Sequence, residues 1–380
     1  MMKRQLAVYL GKDLQSFLPG LKTTQFLRGV PRAIDEKSET SRAIMRRLFP
    51  DYQIINDEKY YIGSTNTLES FEPFEKALKT GGRVLILRDI GLGDIILSMP
   101  TVRKIRERLP NVEITYATLP AYVELFEGHD YVDRVVDFRS CDMASGKYDL
   151  IINWIRGLEY YSIERNKGRR VESYAKTIGL GLSDTEQVIA PVIQQGNENA
   201  ADAILNAYKG PYIVYILKAA AWNRTYPIWK ANGVFDALRK RFPQHTILIL
   251  DNQQDFGLFT GIPGVVNLAG KTKTIMDAAA VMNRADLVIS PDTGMAHLAA
   301  SLGINTVVLL SSMPFEWRYD HYGPHIRGIH KIGAAPCIPC WDWHRDRGKI
   351  RYCHRDRINH CMMNIMPDDI ANMVEAMIGG

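Results

Sequence analysis

The sequence predicts an α/β protein with two doubly wound, Rossmann-like sheets in series and a small α+β module ahead of them. Three observations carry that expectation. From about residue 81 onward, short near-continuous apolar runs alternate with amphipathic stretches. The alternation starts afresh near Pro211, after a polar stretch at Gln194-Gln195-Gly196-Asn197-Glu198-Asn199. Several apolar runs end abruptly in glycine, aspartate or asparagine, as at Ser290-Pro291-Asp292-Thr293-Gly294. Apolar runs without alternation suit strands covered on both faces, and β-α alternation implies parallel sheets.

The totals agree. The chain has 380 residues, 46% hydrophobic and 23% charged, an ordinary composition for a globular protein. Length alone argues for two or three domains. No apolar run approaches the roughly 18 residues of a membrane-spanning helix. After Met1-Met2-Lys3-Arg4 only a short apolar patch precedes Gly11-Lys12-Asp13, so no signal peptide is read and a cytoplasmic location is expected. A net charge of +5 suits phosphate-bearing ligands and equally a solvated surface.

Residues 1–80 form the N-terminal module. Leu6 to Leu10 and Gln25 to Leu27 read as strands, and Ser41 to Phe49 as a helix ended by Pro50. Tyr52 to Ile55 and Tyr60 to Ile62 read as a hairpin about Asn56-Asp57.

The first Rossmann-like domain spans 81–205. Arg83 to Arg88 is its first strand, followed by Gly91-Leu92-Gly93-Asp94 and a helix to about Leu109 that contains Pro100. Strands follow at Val112 to Ala117, Arg134 to Asp137 and Tyr148 to Asn153, with a helix near Ala121 to Phe126. The polar stretch at Gln194 reads as the linker to a second domain spanning 206–380. Its strands are expected at Tyr212 to Ile216, Thr246 to Leu250, Val265 to Leu268, Leu287 to Ser290 and Thr306 to Leu310, and its last helix runs from about Asp368 to Met377. In such pairs of domains, ligands are held across a cleft at the carboxyl ends of the strands.

Four segments at those strand ends carry polar chemistry. Gly93 lets the backbone approach a ligand, and Asp94 at the helix start is either an N-cap or a general base. The Gly-x-Gly-Asp run lacks the third glycine of a dinucleotide fingerprint. Lys218 and Arg224 follow the first strand of the second domain, where a phosphate would lie, and a solvated basic loop is the plain alternative. Lys271 closes the Asn267-Leu268-Ala269-Gly270-Lys271-Thr272 loop. Asp292, Thr293 and Gly294 form a turn into a small-residue helix, where unpaired N–H groups and the helix dipole favour an anion. His297 stands one turn on, on the same face as Thr293. A single helical histidine is commonly structural, whereas three polar loops on one rim favour a ligand site.

Taken together, these motifs resemble glycosyltransferase family 9, the ADP-heptose:lipopolysaccharide heptosyltransferases of GT-B fold, over about residues 83–375. The resemblance rests on Gly91 to Pro100, the Trp222 to Trp229 loop, Asn267 to Thr272, and above all Asp292-Thr293-Gly294-Met295-Ala296-His297-Leu298-Ala299-Ala300. It implies an inverting glycosyltransferase with Asp94 as catalytic base. It also implies a nucleotide diphosphate sugar, ADP-heptose foremost, held by Gly93, Lys218, Arg224, Lys271, Asp292, Thr293, Gly294 and His297. Arg224 stands where family members often carry lysine, and a guanidinium still binds phosphate through two N–H groups. Its charge and the helix N-terminus would stabilise the leaving diphosphate, so no catalytic divalent metal is expected. The last helix is expected to cross back to the first domain. The resemblance implies a glycan or protein hydroxyl as the acceptor.

The remaining signal is Cys337-x2-Cys340, twelve residues, Cys353, seven residues, Cys361. Four thiolates at this spacing suit a structural zinc or iron closing a finger over 337–361. The cluster resembles the iron finger of autotransporter heptosyltransferases, whose assemblies are dodecameric rings, and a homo-oligomer is expected here. A rival reading is a non-catalytic nucleotide- or nucleic-acid-binding protein that uses the basic finger. Intact Asp94 and Asp292-Thr293-Gly294 disfavour it, so nucleic acid is not the expected partner. A sugar-nucleotide epimerase would need a nicotinamide fingerprint and a Tyr-x-x-x-Lys pair, and neither is in place.

Overall fold

The computed structural model describes residues 70–141, 147–155, 168–251, 259, 261–311, 313–331 and 359–379, and in addition the backbone of six N-terminal strands. These are β1 (Gln5–Tyr9), β2 (Leu14–Ser16), β3 (Thr24–Phe26), β4 (Pro31–Ile34), β5 (Tyr52–Ile55) and β6 (Tyr61–Ile62). The chain forms two compact units, one of Met1–Ile90 with Ser98–Ser183, the other of Gly91–Leu97 with Asp184–Gly380. The second unit therefore begins ahead of the expected boundary after residue 205.

In the first unit, β1 lies between β4 and β5 in an antiparallel sheet, and β2 pairs with β3. The expected hairpin between Tyr52–Ile55 and Tyr60–Ile62 does not form. β5 pairs with β1 instead, and β6 adds parallel to a strand of the main sheet, Ile151 opposite Tyr61. An open parallel edge offers unpaired N–H and C=O groups that a short extended segment can satisfy. The strand β6 of the N-terminal module thus joins the main sheet of the first unit. The helix expected over Ser41 to Phe49 lies outside the described residues.

The main sheet of this unit adds β7 (Gly82–Leu87), β8 (Val112–Thr118), β9 (Arg134–Asp137) and β10 (Leu150–Asn153) in the order β6-β10-β7-β8-β9, all parallel. Val84, Leu85, Ile86 and Leu87 are wholly buried, which is why their run shows no polar alternation. Helix α1 (Glu72–Ala77) precedes β7, and α2 (Leu92–Arg108) follows it. Helix α2 continues through Pro100 as one element, with Met99, Val102 and Ile105 wholly buried beyond its first turns. That packing outweighs the roughly 3 kcal/mol penalty of an interior proline. The segment expected as a helix near Ala121 is a 3-10 helix, Pro120–Phe126. Helix α3 (Arg170–Thr177) closes the unit, its Thr177 Oγ1 accepting from the buried Trp154 indole N–H at 2.9 Å.

The second unit opens with α4 (Gln195–Leu205), in the stretch expected to be a linker. Its polar residues are working parts of a helix: Asn197 Oδ1 accepts from the Gln194 N–H at 3.2 Å, and its Nδ2 donates to Asp277 at 3.0 Å. Six parallel strands follow: β11 (Tyr212–Ile216), β12 (Thr246–Leu250), β13 (Val265–Asn267), β14 (Leu287–Pro291), β15 (Thr306–Leu310) and β16 (Ile326–His330). Their order is β13-β12-β11-β14-β15-β16. Strand β16 has no counterpart in the sequence reading, because Arg327 and Gly328 interrupt its apolar pattern.

Helices α5 (Ile228–Arg241), α6 (Ile275–Asn283), α7 (Gly294–Ser301), α8 (Phe315–Arg318), α9 (His360–Met363) and α10 (Pro367–Ile378) complete the unit. Its core is aromatic at one face: Phe235 meets Tyr215 and Phe259 edge-on at 5.2 and 5.3 Å. Helix α10 belongs wholly to this unit. It packs on α5 through Ile370, Ala371 and Val374, and Arg241 pairs with Asp368 and Glu375 at 3.3 and 3.0 Å.

Candidate active site

Sheet order places the site. In the second unit the first strand, β11, lies beside the fourth, β14, with Ile213 opposite Leu287 and Tyr215 opposite Ile289. The connections leave these two strands toward opposite edges, the topological switch point at whose carboxyl ends doubly wound sheets bind ligands. Arg224 stands in the 3-10 turn after β11, and Asp292, Thr293 and Gly294 follow β14 into α7. Two expected groups thereby meet: Arg224 Nη1 is 3.5 Å from Asp292 Oδ2.

Asp292 is 4% exposed, so its charge needs partners. Its backbone N–H donates to Leu309 O at 3.1 Å, and Tyr319 OH donates to Oδ1 at 2.6 Å. Burial alone would push the carboxyl pKa up. Arg224 and Arg318, the Tyr319 hydroxyl and His297 overcome it and hold the group below the usual carboxylate range. Burial and the neighbouring Asp292 charge push the Tyr319 phenol well up, so it remains a donor.

His297 is equally buried and stacks on Tyr319, with ring centroids 4.4 Å apart and planes 15° from parallel. Its Nδ1 lies 3.2 Å from Tyr322 OH. Burial is the main force on this ring and lowers its pKa to about 4, against the pull of Asp292 and Asp94. At neutral pH it is uncharged. Tyr322 is likewise raised by burial and stays protonated.

Gly91–Leu97 group with the second unit, and two glycines explain how closely this segment approaches α7. A Cβ on Gly93 would lie 2.5 Å from His297 Cδ2. A Cβ on Gly294 would lie 2.5 Å from Leu92 Cβ and 2.8 Å from the Gly93 nitrogen. Neither position has room for a side chain. The contact sets Asp94, in the first turn of α2, close enough to His297 to act on its charge.

The N-terminus of α7 completes the arrangement. Thr293 is its N-cap in extended conformation, and its side chain makes no capping bond, so the first helical N–H groups are not covered by it. Lys218 and Lys271 follow the carboxyl ends of β11 and β13 on the same rim, half-buried and exposed respectively. Tyr319, Tyr322 and Arg318 were not anticipated. They follow β15 at that rim, in Phe315-Glu316-Trp317-Arg318-Tyr319-Asp320-His321-Tyr322, where so many aromatic and basic residues beyond a buried strand are the available signal. Of the cysteines, Cys337, Cys340 and Cys353 lie outside the described residues, while Cys361 is buried on α9. Among the described residues no group of three or more His, Cys, Asp or Glu side chains is placed to hold a metal. No helix among them is long and apolar enough to cross a membrane.

Residues 168–337, somewhat less than half the chain, match glycosyltransferase family 9 (heptosyltransferase). No curated protein sequence matches. Among solved structures, the glycosyl transferase family 9 from Veillonella parvula DSM 2008 superposes with a TM-score of 0.58 at 16% identity, covering 78% of this chain and 97% of that one. The E. coli ADP-heptose lps heptosyltransferase II gives 0.58 at 13%, covering 78% and 98%. The iron-containing dodecameric glycosyltransferase TibC from enterotoxigenic E. coli H10407 gives 0.58 at 14%, covering 79% and 77%. The α/β fold is that of the GT-B heptosyltransferase structures, and the family match with it supports a glycosyltransferase.

Proposed function

We propose that the chain transfers a sugar, heptose from ADP-heptose foremost, from a nucleoside diphosphate to an acceptor hydroxyl with inversion at the anomeric carbon. The observation that supports it is the Arg224–Asp292–Tyr319 network at the β11/β14 switch point, immediately before the uncapped N-terminus of α7. Asp292 orients Arg224 through one nitrogen, and a guanidinium carries five donors, so others can engage a phosphate. The α7 N–H groups and Arg224 would stabilise the charge that develops on the diphosphate as it leaves. Lys218 and Lys271 add positive potential on the same rim.

Asp94 is the proposed base. The acceptor O–H gives its proton to the Asp94 carboxylate as the oxygen bonds to the anomeric carbon, and the bond from that carbon to the diphosphate oxygen breaks. An uncharged His297 suits this role. It fills the space between Tyr319 and the Gly93 backbone without forming an imidazolium–carboxylate pair that would weaken the base. In Asp94→Ala, ADP should bind within a few-fold of wild type, while transfer from ADP-heptose to lipopolysaccharide-core and protein acceptors is lost. Lost binding with retained transfer would overturn the assignment.

Cys361, buried at the start of α9, is compatible with a structural iron or zinc shared with Cys337, Cys340 and Cys353. Such a metal would close the finger and takes no part in the chemistry above. A homo-oligomer remains part of the proposal, to be checked by sedimentation.

A further inference from the structure

The loop that carries Arg224 is fastened from behind by a buried cation that the proposed chemistry does not use. Lys230, in the first turn of α5, is 9% exposed. Its Nζ donates to Met363 O at 2.7 Å and Ile365 O at 2.8 Å, and lies 3.6 Å from Met366 Sδ. These carbonyls end α9 and begin the link to α10, so they have no partner in a continuing helix. Tyr226, 1% exposed, donates its hydroxyl to Ile365 O at 3.1 Å, and Lys230 Nζ sits 5.7 Å from its ring centre. Farther up the loop, Asn359 Nδ2 donates to Asn223 O. Both ends of the Asn223–Lys230 segment are therefore strapped to residues 359–366.

The strap is stiff on its own side as well. Thr225 Oγ1 accepts from the Ala219 N–H at 3.2 Å, Arg224 N–H donates to Ala221 O at 3.0 Å, and Lys230 N–H donates to Pro227 O at 2.9 Å. Arg224 lies between the two fastenings and meets Asp292 at their far side. A guanidinium on a long side chain positions a phosphate only if its backbone is fixed, because ordering a mobile arm on binding costs affinity.

We propose that Lys230 is a positioning residue for the nucleoside diphosphate, acting through Arg224: its ammonium pins the loop to the carbonyls of Met363 and Ile365. This rests on the donor-site reading above. It also gives the segment after the cysteine run a function, since that segment is the anchor on which the donor loop hangs.

The test combines calorimetry with ADP and hydrogen exchange on the full chain, for wild type, Lys230→Met, Arg224→Ala and the double variant. Lys230→Met should bind ADP about tenfold more weakly, the scale of losing hydrogen bonds from a charged donor. The double variant should be no worse than Arg224→Ala, because Lys230 has nothing left to position. The Ala219 and Arg224 amides should exchange faster in Lys230→Met while those of β12 do not change. Additive losses, or wild-type loop protection in Lys230→Met, would overturn the proposal. If wild type binds no ADP, the donor reading fails, and the exchange arm alone then decides whether Lys230 holds the loop. Should Lys230→Met not fold, Asn359→Ala releases the other fastening. It should loosen the same amides, and unchanged protection there would equally overturn the idea.

Discussion

Acidification should unseat His297 before any other part of the donor site. The ring is buried between Tyr319 and the Gly93 backbone, and takes up its proton at about pH 4, against 6.5 for an exposed histidine. As pH falls through that window the unfolded chain gains the proton first, so stability present at neutral pH is progressively lost. With those two values the loss between pH 7 and pH 5 comes to about 2 kcal/mol. His297→Gln keeps a hydrogen-bonding partner for the Tyr322 hydroxyl and removes the titration. Urea unfolding of both proteins at pH 7 and pH 5 isolates the contribution of this one group, since titrating residues that do not interact with His297 cancel in the difference. Wild type should lose about 2 kcal/mol more than the variant over that interval. A direct check is the carbon-bound proton resonance of His297, which should not titrate between pH 7 and pH 5. A midpoint near 6.5 or above would refute the reasoning. It would mean that the Asp292 and Asp94 carboxylates outweigh burial, and that a charged imidazolium sits beside the proposed base.

Three further outcomes follow from the same geometry. Tyr319→Phe removes the hydroxyl on Asp292 with little change of shape and should cost about 1.5–3 kcal/mol in urea unfolding, as expected for a hydrogen bond to a charged group. Its Asp292 should also titrate at higher pH than in wild type, so the variant's deficit shrinks as the solution is made strongly acidic. Gly294→Ala drives a Cβ against Leu92 and the Gly93 nitrogen and should cost about 1–3 kcal/mol, with ADP binding weakened as Gly93 and α7 are forced apart. Wild-type Gly294→Ala stability would mean that the segment has slack. Cys361→Ser should lower the iron or zinc content measured by elemental analysis, and equal metal in both proteins would remove this cysteine from the proposed set.

Much of the fold was legible because burial in a parallel sheet leaves a plain mark. Tyr212 to Ile216, Thr246 to Leu250 and Thr306 to Leu310 are strands over the very residues their apolar runs mark, since both faces are covered and nothing polar interrupts them. Strand β16 escaped notice because Arg327 is exposed and Gly328 has no side chain, so the edge strand shows only Ile326 and Ile329 as apolar signals. Helix α4 resembles a linker in sequence because its first turn is polar, and what makes it a helix is distant: Asp277, met by Asn197, and Arg284, paired with Glu198 and Asp202.

The site was legible to a similar depth. Arg224, Asp292 and His297 stand out as polar residues at strand ends, and the structure brings the first two into contact. Tyr319 and Tyr322 do not stand out, because a buried tyrosine in sequence looks like any core aromatic. Gly93 in sequence marks a place where backbone approaches a ligand, and Gly294 a helix N-terminus, whereas both also make room for protein atoms, a pairing across about two hundred residues that no local pattern records. Lys230 reads as a solvated lysine on a helix, and only the fold places its ammonium beneath the carbonyls of Met363 and Ile365.

In the proposed donor site a nucleoside diphosphate lies at the β11/β14 strand ends, held by Arg224 and the α7 N-terminus. The most direct measurement is calorimetric binding of ADP, UDP, GDP and CDP to the full chain, with Arg224→Ala alongside. ADP should bind in preference to the others, and Arg224→Ala should weaken it at least about tenfold, the scale of one charge-assisted contact to phosphate. Binding of no nucleotide, or of ADP with equal affinity in Arg224→Ala, would contradict that placement.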